Sequence, residues 1–466
     1  MLDAGFLEAL RAVVGDVGLL LGDSVRARPV NRSVGVVDAD ALVRPATTEE
    51  VSGVLALCHA RSQPVVPHGG LTGLVHGAVA RAGDLILSLE RMNSIEHVDV
   101  TGRTLRAQAG VPLQRVQEAA EQYELMFPLD LGARGSATIG GNIATNAGGT
   151  RVVRYGMTRG LVLGLEAVLA DGTVLTSLNR VLKNNAGYDL KQLFIGSEGT
   201  LGIVTRAELR LVAKPRSHDT ALLAVQEFSA LVRVLQHLDA GLGGHLSAFK
   251  VLWGNFYDIN TAPPANHVPP LARGAPFYAL IESLGTDPIA DQARLEALLS
   301  DLLQMGVVAD ATIAKSDQER RAMWAIREDV FAVGRIAALQ TFDVSMPIEA
   351  MQAYTEQVGA ELDRLVGPDR THIFGHMADG NLHLVVATGE DPKLRHRVDE
   401  IVYQPLARIG GSISAEHGIG TERLRYLSLS RTSAEIATMR TLKHALDPRG
   451  ILNPGKILAA RADLIR

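Results

Sequence analysis

Two short stretches in the second half of the chain hold residues whose types and spacing suit chemistry. In His376-Met-Ala-Asp-Gly-Asn-Leu-His383, two histidines flank Asp379-Gly380, a favoured two-residue hairpin turn. A turn centred there sets position 376 directly opposite 383, and directly paired side chains share one face with Cβ atoms roughly 4.5–5.5 Å apart. Two imidazoles so placed can chelate one metal ion. The plain alternative is two histidines that happen to flank a turn. Further on, Glu416-His417 lies in Ser412-Ile-Ser-Ala-Glu-His-Gly-Ile-Gly420, crowded by glycines at 410, 411, 418 and 420. Neighbours on a strand point to opposite faces. The two can share a site only if the backbone is irregular, which the glycines permit; an ordinary surface pair is the alternative.

Glycine carries the other signal, in clusters at 69–77, 135–149 and 196–202. Such loops can present several backbone N–H groups to phosphate oxygens, because glycine allows close approach and positive φ. One cluster alone is commonly a turn, but three together imply a phosphate-containing cofactor. The first follows a strand as Pro67-His-Gly-Gly-Leu-Thr-Gly-Leu-Val-His-Gly77. A dinucleotide fingerprint would run on into a helix whose N-terminus meets the pyrophosphate. Here Asp84-Leu-Ile-Leu-Ser-Leu follows and reads as another strand, which removes most of the case for NAD.

These residues need elements to hold them. An amphipathic helix is expected over 4–14. Strand, helix and strand follow from 41, with Thr47 and Glu50 as a capping box. A helix over 112–122, a hairpin over 161–178 turning at Asp171-Gly172, and a strand over 207–213 complete the first half. Lys214-Pro215-Arg216 marks a domain boundary. Beyond it, helices over 227–240, 288–305 and 349–366 mix with strands over 277–283, 371–376 and 382–387, an α+β pattern. The stretch from Asn260 to Pro276 reads as a surface loop. The tail carries a helix capped by Thr432 and Glu435, then Gly450-Ile-Leu-Asn-Pro-Gly-Lys456.

At 466 residues the chain exceeds one core and divides into two or three domains. A net charge of −5, without long runs of either sign, offers no electrostatic handle for nucleic acid or a membrane surface. The lone cysteine, Cys58, excludes an internal disulfide and reads as a buried apolar side chain. The first residues lack a basic start followed by an apolar run, and no stretch approaches the ~18 apolar residues of a membrane span. A soluble cytoplasmic protein is expected.

Taken together, the motifs resemble flavoproteins of the vanillyl-alcohol oxidase / p-cresol methylhydroxylase (PCMH) fold. Gly135-Ser-Ala-Thr-Ile-Gly-Gly-Asn-Ile-Ala-Thr-Asn-Ala-Gly-Gly149 and Lys183-Asn-Asn-Ala-Gly-Tyr-Asp-Leu190 are similar to its D-2-hydroxy-acid dehydrogenase branch, over roughly residues 40–460. That branch includes D-2-hydroxyglutarate dehydrogenase, flavin-linked D-lactate dehydrogenase and the glycolate oxidase flavin subunit. The resemblance implies an α+β fold in four parts. These are an N-terminal helical extension over 1–39, a two-part PCMH-type FAD-binding domain over 40–214, a substrate- and metal-binding cap domain over 215–420, and a helical segment over 421–466 returning to the flavin. It implies that Pro67, Gly69, Gly70, Thr72 and Gly73 hold the FAD pyrophosphate. Ser136, Gly140, Gly141, Asn142, Thr145, Glu198, Gly202 and Ile203 would complete the flavin site, with Asn453 approaching the isoalloxazine. His376, His383 and Glu416 match ligands of a divalent metal, zinc or manganese. His417 matches the base, and Arg327 matches the arginine that grips the substrate carboxylate; a surface helix charge is its plain alternative.

The implied reaction is oxidation of a D-2-hydroxy acid to the 2-oxo acid. A quinone, a cytochrome or an electron-transfer flavoprotein would accept the electrons, and a homodimer is the implied assembly. Some relatives attach FAD through a histidine directly after the Gly-Gly pair; Leu71 stands there, so FAD is expected to be non-covalent. The hydroxyglutarate enzymes of the branch carry a threonine, a lysine and an asparagine where this chain has Phe331, Thr341 and Val385. A lactate-like or longer apolar substrate is therefore expected, with Phe331 and Val385 against its far end. D-2-hydroxyglutarate dehydrogenase and a glycolate oxidase-type subunit are the alternatives within the branch. A cofactor-free metal hydrolase would leave the glycine loops unexplained, and a non-catalytic flavin-binding subunit would not need the metal and base positions.

Overall fold

Short Val- and Leu-rich runs form strands through much of the chain, and helices bury the apolar side chains they present. A computed structural model describes residues 2–28 and 37–459. Parts of the expected N-terminal extension (29–36) and C-terminal segment (460–466) lie outside the described residues. The chain divides into one unit of Met1–Gly149, Gly156–Lys214 and Glu416–Arg466, and a second of Thr150–Tyr155 and Pro215–Ala415.

The first unit holds two sheets. One has the strand order Leu19–Leu21, Ala41–Val43, Leu85–Ser88, Val65–His68, with the last three parallel. Helix Thr48–Arg61 buries Val51, Leu55 and Cys58 against it. Burial pushes the Cys58 thiol up to about 12, so it is inert packing. Thr47 accepts from the Glu50 amide, but the Glu50 carboxylate reaches back to the Ala46 amide at 2.7 Å, one residue beyond the expected box. The other sheet is antiparallel, in the order Ile95–Asp99, Thr104–Gln108, Ile203–Arg210, Val162–Val168, Val174–Ser177. Its central strand starts at Ile203 rather than 207, so the third glycine cluster feeds straight into it. Buried Glu166 ties this sheet together through Arg206, Thr176 and Thr205, and joins it to helix Thr48–Arg61 through Thr48. Helix Ser433–Leu446 has the expected capping box at Thr432 and Glu435, and the tail then pairs with Val65 through Leu452.

The second unit is a seven-stranded antiparallel sheet in the order Asp310–Ile313, Ser217–Val225, Phe277–Gly285, Leu246–Trp253, Thr371–His376, Asn381–Ala387, Leu339–Ser345. One face, carrying Leu222, Leu252, Tyr278, Phe374 and Val385, is covered by helices Gly254–Thr261 and Asp317–Glu328. The expected surface loop from Asn260 is partly wrong. Asn260 and Thr261 are buried at the end of a helix, and Leu271 turns back into this core because an apolar side chain gains more there than in water.

Candidate active site

In the second unit the loop between the two histidines departs from the expected turn. His376 pairs with Asn381, and His383 pairs with Phe374. Met377–Asp379 form a turn of 3-10 helix closed by Gly380 at φ 83°, with the Gly380 amide on the Met377 carbonyl, so the loop has four residues rather than two. The register moves by two, an even number, and therefore keeps the side chains on their face. The imidazole centroids lie 5.3 Å apart.

Arg327 sits in the last turn of helix Asp317–Glu328, over that same face. Its guanidinium carbon is 5.0 Å from the Phe374 ring centroid, and its Nη2 is 2.7 Å from His376 Nε2. A guanidinium can only donate, so Nε2 presents its lone pair toward a positive partner, the form in which an imidazole binds metal. On the other side, Lys250 Nζ lies 2.7 Å from His376 Nδ1. Lys250 is buried. Val251 pairs with Gly375, so the register continues to set Lys250 opposite His376. Nothing in Ala248-Phe-Lys-Val251 marks this side chain; only the long-range register reveals it. Asp343 Oδ1 is 3.9 Å from His383 Nδ1 and accepts from Asn381. Burial pushes the Asp379 carboxyl up to about 6, against the pull of Lys250.

One step along the sheet, Val385 is flanked by Thr341 and His372. Val385 is 1% exposed. Burial holds His372 down at about 4, which leaves it uncharged at neutral pH. Phe331 is 83% exposed, so the expectation that it buries the far end of a substrate is not met in this unit. It sits on a short 3-10 turn whose inward positions are taken by Ala332 and Val333.

In the first unit the three glycine clusters pack on one another. A Cβ on Gly70 would lie 2.0 Å from the Ser136 carbonyl, and one on Gly69 2.7 Å from Thr138 Oγ1. Gly199 lies over the Pro67 ring, and Gly202 over Phe194. Gly140 packs on Ala109, and Thr145 returns its hydroxyl to the Gly141 carbonyl. Thr72 is half-buried, Gly73 and Ser136 are exposed, and Ile203 is buried. Asn453, at φ 40°, donates to the carbonyls of Gly77 and Glu198 and so joins the first cluster to the third. Thr138 Oγ1, Asn142 Nδ2 and Asn453 Oδ1 are buried polar atoms with no hydrogen-bond partner among the described residues. Leaving such groups unmatched is costly. Donors and acceptors clustered at glycine loops fit a polar, phosphate-bearing group.

Glu416-His417 belongs to this unit, on irregular backbone as the glycines suggested. Glu416 Oε1 accepts from the Gly149 amide at 2.9 Å, at the end of the second glycine cluster. Gly149 has φ 93°, and a Cβ there would lie 2.1 Å from the Asp130 carbonyl. The Glu198 carboxylate accepts from the amides of Ile419 at 2.7 Å and Gly420 at 2.8 Å. Burial pushes its carboxyl up, while those amides, Arg423 and Lys456 draw it back.

Comparison with known proteins decides what these two regions belong to. A family model described as FAD linked oxidases, C-terminal domain, matches residues 214–457, and one for an FAD binding domain matches 39–177. D-2-hydroxyglutarate dehydrogenase of Xanthomonas citri pv. viticola is 42% identical over 424 residues, covering 90% of this chain and 89% of that protein. The chain belongs to the FAD-linked oxidases, in their D-2-hydroxy-acid dehydrogenase branch. The mitochondrial D-2-hydroxyglutarate dehydrogenase of Bos taurus is 40% identical over 426 residues, covering 90% of this dehydrogenase and 77% of its own length. A putative mitochondrial D-lactate dehydrogenase of Schizosaccharomyces pombe is 36% identical over 428 residues, covering 89% and 81%. A solved structure of p-cresol methylhydroxylase superposes with a TM-score of 0.75 at 18% identity, covering 98% of this chain and 96% of that one, and so shares the fold.

The dehydrogenase is thus an FAD-dependent oxidoreductase acting on D-2-hydroxy acids. The cytoplasmic expectation is overturned, because the relatives from Bos taurus, Arabidopsis thaliana and Schizosaccharomyces pombe are mitochondrial. Its grounds, a lone cysteine and the lack of a long apolar run, suit any reducing aqueous compartment and could not tell them apart. Among the described residues, no helix is long and apolar enough to cross a membrane.

Proposed function

We propose that this dehydrogenase oxidises a monocarboxylic D-2-hydroxy acid, lactate-like or with a longer apolar side chain, with a divalent metal beside non-covalent FAD. The observation that carries the reading is the sheet face on which Arg327 Nη2 stands 2.7 Å from His376 Nε2, with His383 beside it. His376 and His383, with Glu416, would hold zinc or manganese, both of which suit imidazole and carboxylate donors. FAD, when bound, would supply a hydride acceptor, and the ion would supply a Lewis acid for the substrate hydroxyl. His417 takes the hydroxyl proton, being the side chain suited to that work near neutral pH. Arg327 grips the carboxylate through its planar fork. Lys250 holds the imidazole of His376 in orientation, and Asp343 faces that of His383.

Substrate size follows from the next row of the same sheet. Thr341, Val385 and neutral His372 offer no cation, so a distal carboxylate buried there would lose its water unpaired, costing several kcal/mol. D-2-hydroxyglutarate is the second reading, favoured by the names of the relatives at about 40% identity. For the metal, chelator treatment should leave the FAD spectrum in place and abolish turnover, with Zn2+ or Mn2+ restoring it. Full turnover by metal-free protein contradicts the metal reading.

A further inference from the structure

Glu198 is buried in the first unit, yet its carboxylate is engaged by the chain itself. Oε1 receives the Ile419 amide and Oε2 the Gly420 amide, so one side chain spans two successive N–H groups just past Glu416-His417. Glu198 is itself held at φ 50°, its amide on the Ala144 carbonyl and its carbonyl under Asn453 Nδ2, both at 2.8 Å. The clasped backbone leaves no room for ordinary side chains. A Cβ on Gly418 would lie 2.6 Å from Glu198 Oε1, and one on Gly420 1.8 Å from the Val75 carbonyl. Arg423 fastens the Gly418 carbonyl, and the Thr421 amide bonds to Val75. The first glycine cluster therefore grips this segment through Val75, the second through the Gly149–Glu416 bond, and the third through Glu198.

We propose that Glu198 is a positioning residue, not a flavin ligand through its side chain, and that its carboxylate fixes the Gly418–Gly420 backbone so as to orient Glu416 and His417. The inference rests on the reading of Glu416 as metal ligand and His417 as base. Among the residues of the third cluster, only the carboxylate offers two acceptors at the spacing of adjacent amides. An amide side chain would turn an N–H toward one of them and leave that donor unpaired.

The test is Glu198→Gln in the FAD-loaded protein. Affinity for Zn2+, read by competition with a chromogenic chelator, should fall about 10- to 100-fold, the usual effect of removing an outer partner of a ligand. FAD content and visible spectrum should match wild type, and kcat should fall while KM for the hydroxy acid holds, because Arg327 is untouched. Unchanged Zn2+ affinity and kcat overturn the proposal. So does FAD loss in step with zinc loss, which would return Glu198 to the cofactor. If wild type binds neither Zn2+ nor Mn2+, the metal reading fails, and amide exchange still judges the clasp. The Ile419 and Gly420 amides should exchange slowly in wild type and faster in the variant. Should the variant not accumulate, the wild-type rates decide, and fast exchange at both amides overturns the clasp.

Discussion

The two units are built in opposite ways. In the first unit the backbone does the work: glycines bring three loops within contact distance, and side chains such as Asn453 and Glu198 mainly hold other segments' amides and carbonyls. In the second unit the backbone is an ordinary antiparallel sheet, and the work falls to side chains on one face, where Lys250, His376 and Arg327 form a line. A loop site fails when a Cβ is added. A sheet site fails when a side chain is exchanged while the fold stays intact.

Gly70→Ala probes the loop half and should have the largest effect. The new Cβ meets the Ser136 carbonyl at 2.0 Å, backbone against backbone, with little room to yield. Overpacking of this kind costs about 1–3 kcal/mol, so FAD content of the purified protein should drop sharply. Full FAD occupancy would blur the contrast between the halves. Lys250→Met probes the sheet half. It keeps the length of the side chain and removes its polar contact with His376 Nδ1, so kcat should fall about 10-fold, the lower end for partners of a ligand, with the FAD spectrum unchanged. An unaltered kcat would show that Lys250 is only core packing.

The smallest effect concerns neither site. Glu166 is desolvated by burial, but Arg206 and three threonine hydroxyls outweigh that and hold its carboxyl down at about 2. A depressed carboxylate contributes stability that is complete above its unfolded pKa of about 4.5 and is lost as pH falls toward 2. Acid unfolding of Glu166→Gln should accordingly be flatter than wild type between those values, measured by urea titration at each pH.

The contrast also explains what could be read from the amino-acid sequence. Glycine clusters are visible because the conformations they serve admit few other residues, so the loops and the irregular backbone at Glu416-His417 were legible. The shared face of His376 and His383 was legible too, because face depends only on parity. The register was not, since Asp379-Gly380 closes a four-residue loop as readily as a two-residue turn. Lys250 was invisible because its meaning comes from a strand more than a hundred residues away. Phe331 misled because an apolar side chain four residues beyond Arg327 need not face inward.

On the proposed reading, Thr341, Val385 and uncharged His372, in the row beyond His383, offer no charge to receive a second carboxylate. Steady-state kcat/KM with a dye acceptor, for D-2-hydroxybutyrate against D-2-hydroxyglutarate, tests it most directly. At least about 10-fold preference for the monocarboxylate is expected, as when a buried polar group goes unpaired, with that gap narrowed in Thr341→Lys/Val385→Asn. A clear preference of the wild type for D-2-hydroxyglutarate would contradict it.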